Sequence, residues 1–351
     1  MQEVVNQKRG VMTVIGCGGT GINIATLLEK YSERASENFA QMQIFKVDTS
    51  LANMHGQSRD NFYHIKNADG SARSSEQELD GSGQKRDENA AHIKAAVPEI
   101  LLKCKPGDIT VVLSSGGGGS GSVVSPILTA ELKRRGKNVI SIVVGSRDTM
   151  KDIDNTIKTM KSFAQISKNS ESPTIVGYEE NGSVTNGQVM SQRDVDQRVI
   201  QLISALSVLF SRQNSSLDSK DLEHWLNFQK VTEFSARMVG IHVLDRESSK
   251  NFKDQIISVA TLFTENSGTA LSDVIPAYQC RAQLTSDLNE LFENSNNRLP
   301  LHYVLSDSVI TKQIADLMQK FEDLRENARA SSSMLSILDS NDVADEDGII
   351  F

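Results

Sequence analysis

Cysteine is scarce: Cys17, Cys104 and Cys280 are the only three in 351 residues, odd in number and far apart. A disulfide framework is therefore not expected, and a reducing compartment fits. A cationic excess is lacking as well. The 37 Lys and Arg residues face 45 Asp and Glu, a net charge of −8, whereas direct nucleic-acid binding calls for a basic stripe that displaces counterions from phosphates. No apolar run is long enough to span a bilayer, and the opening MQEVVNQKRG has no apolar signal core; a cytoplasmic protein without membrane contact is expected. The six histidines are scattered, and neither they nor the cysteines show metal-ligand spacing; metal held directly by protein side chains is not expected.

What is present is an ordinary folded composition, 38% hydrophobic and 23% charged, long enough for two domains sharing an interface. From Val11 onward short β-rich runs alternate with amphipathic stretches, the pattern of a parallel sheet covered on both faces. Strands are predicted near Val11–Gly16, Gln43–Asp48, Asp108–Ser114, Val139–Val144 and Pro173–Val176. Right-handed crossovers would line the carboxyl ends of these strands along one edge, where open α/β sheets bind ligands. Val195, Val199, Leu202, Ile203, Leu206 and Phe210 then recur at helical spacing and predict a long helix over Asp194–Ser211. Beyond it lie the polar Gln213-Asn-Ser-Ser, a short helix over Asp218–Phe228, and further strands at Arg237–Leu244, Ala277–Leu284 and Leu301–Leu305.

Val14-Ile-Gly-Cys-Gly-Gly-Thr-Gly-Ile-Asn follows a strand and opens a helix, so its glycines let backbone N–H groups approach an anion at a positive helix end. Gly16, Gly18 and Gly21 with Asp48 at the end of the next strand equally satisfy a nicotinamide-binding pattern. A second run, Ser114-Ser-Gly-Gly-Gly-Gly-Ser-Gly-Ser, separates these readings. It sits between a buried strand and a helix capped by Ser120 or Ser122, where a flexible linker has no place. Two phosphate loops on neighbouring strands imply a polyphosphate. The P-loop signature with its lysine is missing, which disfavours those nucleotide hydrolases.

Gly117-Gly-Gly-Ser-Gly-Ser resembles the signature loop of the tubulin/FtsZ superfamily, with Ser120 where most members carry threonine, a serine shared by the bacteriophage tubulins. The resemblance implies an α/β Rossmann-type GTPase domain, a central helix and a smaller α/β domain, with GTP or GDP and Mg²⁺ bound through the phosphates. It assigns Gly18, Gly19, Thr20 and Gly21 to the first phosphate loop, Asp48 and Thr49 to the second, and Gly81, Ser82 and Gly83 to a third that senses the terminal phosphate. Ser82 replaces a common alanine. Gly117, Gly118, Gly119, Ser120, Gly121 and Ser122 form the signature loop, Asp148 reaches the ribose, and Asn23 and Asp196 contact guanine. Arg86 lies near the third loop.

In Leu217-Asp-Ser-Lys-Asp-Leu-Glu-His-Trp, Asp218 and Asp221 share one face of a starting helix. Taken alone, that spacing equally describes a helix cap. The resemblance implies instead that both carboxylates enter the neighbouring subunit's pocket, so that hydrolysis requires a head-to-tail homopolymer; a phage cytoskeletal filament that positions DNA in the host cytoplasm is the implied role. The implied division is a GTP-binding domain 1–193, connector helix 194–211, catalytic loop and short helix 212–235, smaller domain 236–306, C-terminal helix 307–330, and an acidic, hydrophobic-tipped tail 331–351 that docks on the next subunit. Trp225 reads as a core anchor. Two rivals remain: a nonpolymerising nucleotide-binding regulator, and an NAD-dependent oxidoreductase for which no compact His/Tyr/Lys set is evident.

Overall fold

The computed structural model describes residues 9–32, 38–54, 58–66, 83–84, 86–87, 89–185, 187–212, 217–269, 271, 275–284 and 299–340. The first half alternates strand and helix: β1 (Val11–Cys17), α1 (Gly18–Ser32), β2 (Gln41–Asp48), β3 (Phe62–His64), α2 (Ala90–Lys103), β4 (Ile109–Ser115), α3 (Gly121–Arg134), β5 (Val139–Ser146), α4 (Met150–Ser170) and β6 (Thr174–Asn181). A small hairpin, β7 (Val184–Thr185) and β8 (Gln188–Val189), leads to the long helix α5 (Gln192–Leu209). The remainder comprises α6 (Ser219–Leu226), β9 (Met238–Leu244), α7 (Arg246–Asn251), β10 (Ser258–Phe263), β11 (Tyr278–Gln283), β12 (Leu301–Ser306) and α8 (Ser308–Ser340).

The central strands are almost wholly buried because helices cover both faces, which is why they read as apolar runs rather than alternating ones. From β3 to β6 the spatial order is 3-2-1-4-5-6, all parallel. That order reverses its winding between β1 and β4, and the crevice at such a switch point is where doubly wound sheets take ligands.

The second run of strands joins the same sheet. Thr174, Ile175 and Val176 of β6 pair in parallel with Met238, Val239 and Gly240 of β9, and β12, β10 and β11 continue the sheet to ten strands. β10 is a strand that the sequence pattern did not predict. It pairs antiparallel with β12 and parallel with β11. The fold is α/β throughout.

Trp225 ties the connector region to the far strands. Fully buried, its Nε1 donates to the Tyr303 carbonyl at 3.1 Å, and the Tyr303 hydroxyl donates to the Ala205 carbonyl at 2.7 Å. Both polar tips are thus satisfied inside the core, the condition under which large aromatics bury without penalty. The three cysteines are free and buried. The C-terminal helix runs ten residues past the expected boundary at 330, as one helix to Ser340. Its Ile310, Ile314, Leu317, Phe321 and Leu324 seat it on α4 and the neighbouring strands.

Candidate functional site

A cleft of about 430 Å³ opens at the switch point. Its floor is the meeting of two strand-to-helix turns. At the end of β1, Gly18 has φ of +69°, and a Cβ there would fall 2.8 Å from the Gly121 nitrogen; a Cβ on Gly121 would fall 2.4 Å from the Cys17 carbonyl oxygen. The two glycine loops therefore interlock at backbone contact, and side chains at either position would separate them.

Two helices begin at this floor, and the free N–H groups of a first turn favour an anion. Ser120 occupies the N-cap position of α3 but makes no side-chain cap. Its hydroxyl instead lies 2.5 Å from that of Thr49. Ser122 does not cap either, since its hydroxyl donates back to the carbonyls of Gly118 and Gly119 at 2.5 and 2.9 Å. The expected serine cap is thus replaced by an open helix end.

Of the residues assigned from the sequence, Gly18, Gly19, Thr20, Asp48, Gly83, Gly118, Gly119, Ser120, Gly121 and Asp148 line the cleft. Thr49, Gly21, Gly117 and Ser122 support it from behind. Thr49 is buried, and Gly21 lies so close to β4 that a Cβ would sit 2.3 Å from the Leu113 carbonyl oxygen. Gly81 and Ser82 lie outside the described residues. Asn23 is exposed on α1, and neither it nor Asp196 lines the cleft. Asp196 stands in the first turns of α5, where desolvation raises its pKa and its Oδ1 is buried without a partner. Neighbouring Asp194 closes a capping box with Ser191. Arg86 turns away from the cleft, its guanidinium donating to the Ser122 carbonyl and to Thr159 and Ser162.

Gln84, which follows Gly83 in the expected third loop, lines the cleft, and so do Asn53, Asp152 and Asn181, which no sequence motif marked. Asn53 Nδ2 donates to Asp48 Oδ2 at 2.7 Å and fixes that carboxylate. Asn181 ends β6 beside Ser146 of β5, and its Oδ1 is buried with no partner. An orphaned amide oxygen at a cleft wall is a group waiting for a donor. Asn181-Gly182 carries the signal of any Asn-Gly turn, which is why it did not stand out.

Among the described residues, no lysine, arginine or histidine lines the cleft, while Asp48, Asp148 and Asp152 do. Among these residues, a phosphate would be met by backbone N–H groups and hydroxyls. At the floor, burial pushes the Cys17 thiol well above the ordinary pKa, with Cys104 and Asp48 adding to the effect, which disfavours the reactive thiolate. No group of acidic, histidine or cysteine side chains among the described residues is arranged to hold a metal, and no described helix is long and apolar enough to cross a membrane.

Asp218 and Asp221 lie elsewhere. The connector α5, about 27 Å long at helical rise, starts after β6 and ends where Ser211 accepts from Gly10 N, just ahead of β1. Arg212 pairs there with Asp108, just ahead of β4. The acidic pair thus follows from the amino-end edge of the sheet, opposite the cleft. Within the chain the two form a capping box: Asp218 Oδ1 accepts from the backbone of Lys220 and Asp221 at 2.7 and 2.9 Å, and Asp221 Oδ2 accepts from Asp218 N at 3.2 Å. Such a cap is worth about 1 kcal/mol. Asp218 remains exposed.

No family model matches the sequence. A phage tubulin-like protein of Pseudomonas phage phiKZ is 29% identical over 343 residues, covering 95% of this chain and 96% of that one. Among solved structures, the protofilament of TubZ from bacteriophage PhiKZ superposes with a TM-score of 0.74 at 26% identity, covering 93% of each chain. The phage tubulin PhuZ with GDP superposes with a TM-score of 0.73 at 21% identity over 91% of this chain and 92% of that one, a likeness of fold.

Proposed function

We propose, from the premise that the chain is a phage tubulin-like protein of the tubulin/FtsZ superfamily, that it is a GTPase assembling head-to-tail into filaments and hydrolysing GTP where one subunit meets the next. The observation that carries the reading is the uncapped start of α3, interlocked with the start of α1 through Gly121 and Gly18 beneath a cleft with no cationic side chain among the described residues. Neutral N–H groups and helix dipoles can cradle a polyphosphate, and the name of the GDP-bound neighbour supports a guanine nucleotide. Asn181, with Asn23 and Asp196 as sequence-based candidates, is our assignment for contacts to the base, and Asp148 for the ribose. Mg²⁺ held through the phosphates supplies the positive charge needed beside Asp48, Asp148 and Asp152.

The acidic pair belongs to the opposite edge of the same sheet and cannot reach its own cleft. A translational stack of subunits carries that edge onto the next subunit's nucleotide, and a contact of this kind does not close on itself. Asp218 and Asp221 then orient water against the terminal phosphate. The acidic end of the chain, the expected 331–351 segment whose first ten residues continue α8, docks on the neighbouring subunit, and the filament serves in the host cytoplasm to position phage DNA. An oxidoreductase is disfavoured because no histidine, lysine or tyrosine among the described residues lines the cleft.

Light scattering across a concentration series with Mg²⁺ and GTP or ATP tests the reading. Scattering with GTP alone, above a threshold concentration and with turnover per subunit rising at that threshold, is expected. Turnover independent of concentration, without scattering, would leave a soluble nucleotide-binding regulator.

A further inference from the structure

Helix α4 presents a polar stripe, Asp152, Asn155, Thr159 and Ser162, at the three- and four-residue spacing that aligns side chains along one helix face. The stripe engages two separate loops. On one side Gln84 Nε2 donates to Asp152 Oδ1 at 3.1 Å, and Arg86 donates to Thr159 and Ser162. On the other, the Thr159 hydroxyl shares its proton between the Asn155 carbonyl at 2.7 Å and the Gly116 carbonyl at 3.0 Å.

Asn155 joins the two. Its Nδ2 donates to the Gln84 carbonyl at 3.0 Å and to the Gly117 carbonyl at 2.9 Å. Both partners are carbonyl oxygens, which fixes the amide orientation, since only the NH₂ side can serve them. The side chain is 1% exposed and its Oδ1 is buried without a partner. An unpartnered oxygen is tolerated here for the sake of a donor that reaches two loops at once.

We propose that Asn155 is a positioning residue that couples the loop around Gln84 to the signature glycine loop, and so sets the preference of the cleft for a nucleoside triphosphate over a diphosphate. The inference rests on the nucleotide-site reading above. One planar amide holds both carbonyls, so a displacement of the Gln84 loop toward a terminal phosphate shifts Gly117, whose loop carries the N–H groups facing the inner phosphates. A diphosphate engages the glycine loop without drawing on that link.

The test measures equilibrium affinity of the full chain for GTPγS and for GDP, with Mg²⁺, below any assembly threshold. Asn155→Asp is nearly isosteric and replaces the donor with an acceptor that repels both carbonyls. It is expected to lower the GTPγS-to-GDP affinity ratio by about fivefold, the size of one lost neutral hydrogen bond, while GDP affinity changes by less than about twofold. Arg86→Gln, on the same brace but half-buried, is expected to lower the ratio by about twofold, and it carries the test if Asn155→Asp does not fold. An unchanged ratio in the folded variants, or equal loss of both affinities, overturns the proposal. A native chain that binds neither nucleotide overturns the nucleotide-site reading itself, and the proposal with it.

Discussion

The two edges of the sheet treat their polar groups in opposite ways. At the carboxyl edge, α3 begins without a side-chain cap and Asn181 keeps an unpartnered oxygen against an open cleft. At the amino edge, Asp218 and Asp221 are satisfied by each other's backbone in a closed capping box. The first edge leaves polar groups open to a ligand. The second is complete as a helix start, so any chemistry it performs is additional to its structural duty and requires a partner to face.

The most damaging way to break this comparison is Asp218→Asn. Asparagine caps a helix as well as aspartate does, so the structural duty survives while the carboxylate is lost. GTP turnover in assembled protein is expected to fall by about 100-fold or more, with nucleotide affinity and melting temperature unchanged; turnover close to native would reduce the pair to a cap.

A second contrast uses pH, and half-buried His242 of β9 is a clear point at which acid acts on the fold. Burial pushes its pKa down to about 4, although the charge of Asp254 works the other way. The unfolded chain takes that proton at the ordinary value, so between about 6.5 and about 4 the unfolded state binds more protons and folding stability falls as pH falls. His242→Gln is expected to remove about 1–2 kcal/mol of the stability difference between pH 7 and pH 5, read from urea midpoints at both values. An identical loss in both proteins would place the acid sensitivity elsewhere.

The mildest change probes the open edge. Asn181→Ala removes one uncharged contact to the base, and GDP affinity is expected to drop about tenfold while affinity for inorganic pyrophosphate stays constant. Equal weakening of both would mean that Asn181 shapes the wall without reading the base.

Local pattern carried much of this molecule. The strand, glycine turn and helix around Val14–Asn23 and Ser114–Ser122 are short-range features, and the apolar spacing from Val195 to Phe210 marks α5 within about a residue or two at each end. What the sequence hid is non-local. The β6–β9 pairing joins residues some sixty positions apart, and β10 takes its place from partners on either side that follow it in the chain. At the site, Ser120 looked like a cap because serine before a helix usually is one; its hydroxyl goes to Thr49, which only the folded sheet brings near. Asp152 and Asn155 belong to a helix face whose polar stripe gains meaning only once the two loops lie against it.

Helix α8 is pinned near the rim of the cleft. Arg147 holds Glu180 of β6 and Asp316 of α8, each at 2.5 Å, and the apolar seat of the helix ends at Leu324. Past that seat the helix continues to Ser340, a further length of about 24 Å at helical rise. Its seated part and the part beyond the seat are of similar length. A tilt of about 5° at the seat carries its tip through about 2 Å, so a small adjustment beside the cleft is enlarged at the far end of the helix.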